Sequence, residues 1–235
     1  MRVVNSTKFP AKINANHPLA QGLIGYWPCG EMGGRKLWDL TGMNHLDGGA
    51  SSGTWIPSPR GGAITLNGLG GASYTKTVTN LPTGNNAISM SCWFKMDSIP
   101  TQCEFMGYGN NAGGGQRWAL YYTGNTLYLE CAGVSNSFSW TADTNWHHFM
   151  FTHASGANLN AAKMYFDGKP KTLSTTSYTI NITGTKELKI GGIPTVSNDS
   201  YTITGKTEEC RIWNRVVSDN EAILLFTNPH ADLMR

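Results

Sequence analysis

The residues best suited to chemistry are a histidine group, a scatter of carboxylates and a set of aromatics near turns. Trp146-His147-His148, followed by His153, carries enough imidazoles for a metal site or a proton relay. Side chains alternate along a strand, so His148 points away from both His147 and His153. His147 and His153 share a face but lie roughly 20 Å apart along it. The three therefore do not converge on one zinc ion. Glycoside hydrolysis needs two carboxyl groups about 5–10 Å apart. Glu104, Glu130, Asp143, Asp167 and Glu187 each stand alone, with no run of alternating acids on one strand. There is no Gly-x-Ser-x-Gly elbow, phosphate loop or dinucleotide fingerprint. Gly113-Gly-Gly115 has no helix after it and reads as a flexible turn. An enzyme is not expected. Exposed aromatic rings can instead stack on sugars, and Trp55, Tyr74, Tyr108, Trp140 and Tyr201 are the loop-proximal candidates. Trp27, Trp93, Trp118 and Trp146 fall within strands and read as core.

The elements that position these residues are strands. In Ile88–Met96, alternate residues Ile88, Met90, Cys92, Phe94 and Met96 share one face. The stretch 118–129 reads as a hairpin closed by Thr123-Gly-Asn-Thr126. Alternation returns over 146–153, and further runs occur at 64–66, 163–166, 178–182, 188–190 and 201–213. Turn residues recur at about the 8–12-residue spacing of a sandwich or jelly roll. One helix is expected near the C-terminus. There Ser218-Asp-Asn-Glu221 forms a capping box, Ala222-Ile-Leu-Leu-Phe226 an apolar face, and Asn228-Pro229 a stop. Residues 1–20 are polar, contain Pro10 and Pro18, and read as an extended arm. The expected organisation is an arm (1–20), one domain (21–229) and a short tail (230–235).

Composition agrees. Only 14% of the 235 residues are charged, while 28 Gly, 25 Thr and 20 Asn make the polar character neutral. Helical bundles and coiled coils need far more Glu, Lys and Ala, and 40% hydrophobic content argues against disorder. The net charge of +3 comes without a basic cluster, so no nucleic-acid partner is expected. No apolar run approaches the roughly 20 residues of a membrane span. The N-terminal stretch lacks the apolar core of a signal peptide, so synthesis in the cytoplasm without export by the secretory route is expected. Five cysteines without a Cys-x-x-Cys pair suit neither a disulfide framework nor a zinc site.

Several segments together resemble the laminin G-like, concanavalin A-like lectin-glucanase jelly-roll family. Gly22-Leu-Ile-Gly-Tyr-Trp-Pro28 is similar to its opening strand, Trp38-Asp-Leu-Thr-Gly42 to its early turn, and Ile88-Ser-Met-Ser-Cys-Trp-Phe-Lys95 to its central strand. Asn145-Trp-His-His-Phe149, Met164-Tyr-Phe-Asp-Gly-Lys169, Leu188-Lys-Ile-Gly-Gly192 and 205–215 follow in the family's order. The resemblance spans about residues 22–229 and implies an all-β sandwich with one short C-terminal helix and an extended N-terminal arm. Cys29 and Cys210 depart from the usual Phe and Val, and Met43-Asn44-His45-Leu46-Asp47 departs from the usual spacing. Some relatives bind calcium near the early turn and the last strand. That implies Asp39 or Asp47 with Glu208 or Glu209 as oxygen ligands here, calcium needing six to eight oxygens.

Three functions follow from these readings. The leading expectation is a non-catalytic decoration protein on a virus or phage shell, located on the virion surface and forming homo-oligomers. Lys8, Phe9, Pro10, Lys12 and Ile13 of the arm would then attach it to the particle. Low charge suits lateral packing, because an unpaired buried charge is costly. The alternative is a lectin-type module for cell-surface glycans, and the third is a glycoside hydrolase.

Overall fold

A computed structural model describes residues 11–49, 53–68, 73–183, 186–194 and 201–234. The alternating segments pair into two antiparallel eight-stranded sheets. With strands numbered along the chain, the first sheet runs β14 (Lys169–Pro170), β13 (Lys163–Phe166), β12 (Trp146–His153), β7 (Ile88–Met96), β16 (Thr204–Trp213), β5 (Gly61–Asn67), β4 (Thr54–Ser58), and β1 (Leu23–Trp27) also pairs with β16. The second runs β11 (Ser135–Ser139), β10 (Thr126–Glu130), β9 (Arg117–Thr123), β8 (Gln102–Gly109), β15 (Lys186–Ile190), β6 (Tyr74–Val78), β3 (Leu46–Gly48), β2 (Lys36–Leu37). Inner faces meet through aromatic stacks. Phe94 lies on Phe105 with ring centroids 3.9 Å apart, and Trp118 on Phe151 at 5.0 Å. The fold is the jelly-roll sandwich that the resemblance implies.

The first sheet is buried on its outer face as well. Helix α1 (Asp219–Thr227) starts at the predicted capping box, in which Ser218 and Glu221 satisfy each other's backbone donors. Phe226 then stacks on Trp93, with ring centroids 5.4 Å apart. Leu19, Met150, Tyr165, Trp213, Val217, Ala222 and Leu225 form a second, smaller core there. Contacts run across both expected segment boundaries. Trp213 Nε1 donates to Leu19 O (2.7 Å), Met234 N donates to Lys12 O (2.8 Å), and Ile13 bridges Leu233. Lys12 and Ile13, expected to reach for a partner, therefore hold this chain's own tail. Lys8, Phe9 and Pro10 lie outside the described residues.

Strand β16 is the hub. Its first half pairs with β5, its second half with β1, and β7 runs along its other edge. A bulge between Glu208 and Arg211 makes the change of partner possible, with Glu209 in the left-handed region (φ 54°) supplying the extra residue. Cys210 stays in the inner core while Arg211 emerges under α1 and the tail. The Arg211 guanidinium is 1% exposed and lies 3.0 Å from Glu209 Oε2, 3.1 Å from Asp232 Oδ1 and 3.7 Å from the Tyr26 ring. Tyr26 Oη donates to Glu209 Oε2 at 2.7 Å. Burial opposes ionisation of Glu209, but Arg211, His230 and Tyr26 together outweigh it and hold the carboxyl below its usual range.

A second ionic clasp sits at the start of β12. His147 Nδ1 is 2.8 Å from Asp167 Oδ2, its Nε2 is 3.0 Å from Asp143 Oδ1, and its ring stacks on Phe166. Burial alone would lower its pKa, but hydrogen bonds to Asp167 and Asp143 prevail and raise it. As predicted, His148 turns the other way, under Trp93 (5.4 Å), and burial keeps it neutral with a pKa near 3.

Two outcomes are expected. Arg211→Ala strands Glu209 and Asp232 and should lower the urea-unfolding free energy by about 3–5 kcal/mol. Lys163→Ala, which breaks an exposed pair with Asp219, should lower it by less than about 1 kcal/mol. Equal losses would remove any special role for the buried cluster. His147, with a folded pKa above its unfolded value of about 6.5, stabilises fully below that value and loses its contribution as pH rises through the folded one. His147→Gln should flatten the fall in melting temperature across that window, and an unchanged profile would show the clasp to be uncharged.

Candidate functional site

Side-chain alternation sends Glu104, Arg117, Tyr121, Tyr128, Glu130, Glu187 and Lys189 out of the core on the second sheet. Acids that stand alone along the chain are thus gathered on one face with two cations. Arg117 grips Glu130 with two bonds of 2.9 Å, Lys189 lies 3.9 Å from Glu187, and Thr75 Oγ1 donates to Glu187 Oε1 at 2.7 Å. Glu104 differs: it is 0% exposed, and among the described residues neither carboxyl oxygen has a hydrogen-bond partner. Burial pushes its pKa well up, and Arg117 and Lys189 offset this only in part. Gly107 makes the space, since a Cβ there would stand 2.3 Å from Glu104 Oε1 and 2.8 Å from Trp118 O. Residues 201 and 202 cover it, with Glu104 N donating to Tyr201 O at 2.7 Å and Glu104 bridging Thr202. The face thus holds one sealed acid, Glu104, and two engaged ones, Glu130 on Arg117 and Glu187 on Thr75 and Lys189.

The proposed calcium ligands do not converge. Asp39 caps its own turn, accepting from Tyr26 N and Thr41 N on one oxygen and from Thr41 Oγ1 and Asn44 N on the other. Asp47 pairs with Lys36 on the exposed face of the second sheet. Glu208 is taken by Arg60 (2.7 Å) and Ser58, and Glu209 by Arg211 and Tyr26. Among the described residues, no group of three His, Cys, Asp or Glu is placed to hold a metal ion.

The aromatic candidates divide. Tyr74 and Tyr108 are fully buried core residues, which overturns their expected role as sugar platforms: both face inward from β6 and β8. Trp140 packs among His147, Phe166 and Tyr122, and Trp55 lies against the core with its Nε1 donating to Gly34 O. Tyr201 is partly exposed and meets Tyr121 edge-on at 6.2 Å, beside Tyr128. Trp146, expected in the core, is partly exposed beneath the Arg60 guanidinium. Sequence reasoning missed two exposed rings, Trp38 and Tyr178. Residues 178–182 alternate like a strand but form only isolated bridges, Asn158 with Thr179 and Gly84 with Ile182.

Tyr178 occupies an open cleft of about 620 Å³. Gln116, Asn158, Ser177, Thr179 and Asn181 line it with amides and hydroxyls. The ring is seated on glycine. A Cβ at Gly114 would stand 2.7 Å from the Tyr178 hydroxyl oxygen, and Gly115 (φ 74°) is fixed by Gly115 N donating to Cys131 O and Asn181 N donating to Gly115 O. The glycine run, expected to be a flexible turn, is thus a hydrogen-bonded seat. A second cleft of about 520 Å³ lies at the same loop end, lined in part by Thr79, Asn80, Thr83, Asn86, Ser155 and Asn214. No charged side chain lines either cleft among the described residues.

Comparison with known proteins fits this architecture. Residues 69–222 match the family model for the concanavalin A-like lectin/glucanases superfamily of the laminin G type. No curated protein matches. The binding domain of Paraclostridial Mosquitocidal Protein 1 superposes with a TM-score of 0.69 at 13% identity, over 91% of this chain and 53% of that one. Domain 4 of an extracellular arabinanase from Geobacillus stearothermophilus, solved with arabinotriose, gives 0.62 at 18% identity over 92% and 98%. Trypanosoma rangeli sialidase gives 0.65 at 17% identity over 90% of this chain and 33% of that one. This chain thus spans about half of the first protein and a third of the sialidase, and at such identities the likeness is one of fold.

Glu104 yields a measurable expectation. A carboxyl with a raised folded pKa contributes most below its unfolded pKa of about 4.3, and the fold loses stability as pH climbs from there towards the folded value. Glu104→Gln keeps the shape and removes the charge, so its melting temperature should exceed that of the parent at pH 8 and match it at pH 4. A variant equally destabilised at both values would show that Glu104 is ionised in the fold.

Proposed function

Since the chain belongs to the concanavalin A-like lectin/glucanases superfamily, we propose that it is a non-catalytic glycan-binding module acting through the loop end of its sandwich. The observation that carries this is the Tyr178 cleft. A sugar ring offers an apolar C–H face and a rim of hydroxyls, which an exposed aromatic ring and surrounding side-chain amides complement. Tyr178 supplies the first, and Asn158, Asn181 and Gln116 supply the second. The arabinotriose complex of the similarly folded arabinanase domain supports the class of ligand. The non-catalytic part rests on the carboxyls: Glu104 is sealed, and Glu130 and Glu187 are engaged by Arg117 and Thr75.

A second reading, decoration of a virus or phage shell, draws on exposed apolar side chains between β1 and β3. Met32, Trp38 and Met43 are 45–50% exposed, which suits a protein surface as partner.

Tyr178→Ala should weaken binding on a glycan array and in calorimetry at least tenfold, about 1.4 kcal/mol, with an unchanged melting temperature. Full-strength binding by that variant would sink the loop-end site. Cosedimentation with megadalton particles, with no glycan bound, would transfer the assignment to the second reading.

A further inference from the structure

We propose that the ligand is an uncharged oligosaccharide that lies across both loop-end clefts, a refinement resting on the glycan reading above. The two clefts flank one ridge. Gly84 and Ile182 exchange backbone bonds of 2.8 and 2.9 Å, while Asn85 accepts from Gly156 N at 2.8 Å and donates through Nδ2 to Ala157 O at 2.9 Å. The ridge residues are immediate sequence neighbours of both linings. Thr83, Asn86 and Ser155 belong to one cleft, and Asn158 and Asn181 to the other. A ligand seated on Tyr178 and extended past Asn181 therefore meets the ridge and then the Asn86 side.

The absence of charge from both linings sets the ligand's class. A carboxylated sugar binds well when arginine or lysine meets it, because a desolvated carboxylate without such a partner is costly. Among the described lining residues there is none. The ridge is propped from behind by His153, whose Nε2 is 2.8 Å from Asn85 Oδ1 and whose ring lies against Trp118 at 4.9 Å. Burial lowers that imidazole's pKa to about 4, so it stays neutral and adds no cation. Asn80 and Asn86 are exposed, ready to bond sugar hydroxyls.

The test titrates the full chain with arabinose, arabinotriose, glucose and cellotriose, and with trigalacturonate and sialyllactose as charged probes. A neutral trisaccharide should bind at least tenfold more tightly than its monosaccharide. The Asn80→Ala/Asn86→Ala double variant should cancel that gain while keeping monosaccharide affinity and melting temperature. Tyr178→Ala should remove both. If affinity does not grow with length and the double variant behaves as the parent, the two-cleft proposal fails while the glycan reading stands. Tighter binding of either charged probe overturns the uncharged class. Binding of no probe overturns the glycan reading along with the refinement, whereas glycan binding that ignores Tyr178→Ala sinks the loop-end site and the refinement with it.

Discussion

The buried charge of Arg211 is the constraint on which the rest of the molecule turns. A guanidinium withdrawn from water must be met by carboxylates held in place, and those come from the bulge on its own strand and from Asp232 in the tail. Satisfying it fixes the left-handed Glu209, and with it the point where β16 exchanges β5 for β1. The same demand draws residues 229–232 across the sheet, because Arg211 also donates to Pro229 O. Helix α1 lies between β16 and this tail, so its docking is held at both ends. One cation thus organises a strand exchange, a helix and the tail on which residues 12–14 pair.

This packing decides where a ligand can go. The first sheet is closed on its inner side by the second sheet and on its outer side by α1 and the chain ends. The outer face of the second sheet is taken up by its own ion pairs and by residues 201 and 202 over Glu104. Among the described residues, the two clefts at the loop end are lined by no charged side chain. Threonine and asparagine, two of the residues that make the composition unusual, recur in their linings. Neutral polarity there keeps the surface hydrated without offering strong ionic contacts, which favours ligands rich in hydroxyls.

Local patterns in the sequence were legible where a single element decides the outcome. The strand Ile88–Met96, the Gly124-Asn125 hairpin turn with positive φ at both residues, the opposed directions of His147 and His148, and the Ser218 capping box are all properties of a few consecutive residues. Faces were harder to read. Tyr74 and Tyr108 looked loop-proximal, yet each begins or nearly ends a strand in a register that turns it inward. Glu104 seemed isolated because its neighbours Arg117 and Lys189 arrive from other strands. The clefts were invisible for the same reason: Gln116, Asn158 and Asn181 come from three separate segments, and the first and last are brought together by Asn181 N donating to Gly115 O and Thr183 Oγ1 donating to Gln116 Oε1.

The bridge between Ile13 and Leu233 has a topological meaning. The two ends of the described chain run side by side as a short antiparallel pair, so entry and exit are one doorway. A module of this form can be spliced into a surface loop of a host chain with little change in the host's spacing, because the host backbone resumes close to where it broke off. It can equally be re-threaded, with old ends joined and new ones opened at a distant turn. The doorway is also a zipper: pulling the two ends apart peels the pair one bond at a time, the Met234 N to Lys12 O bond first and the Asn14 N to Asp232 O bond after it.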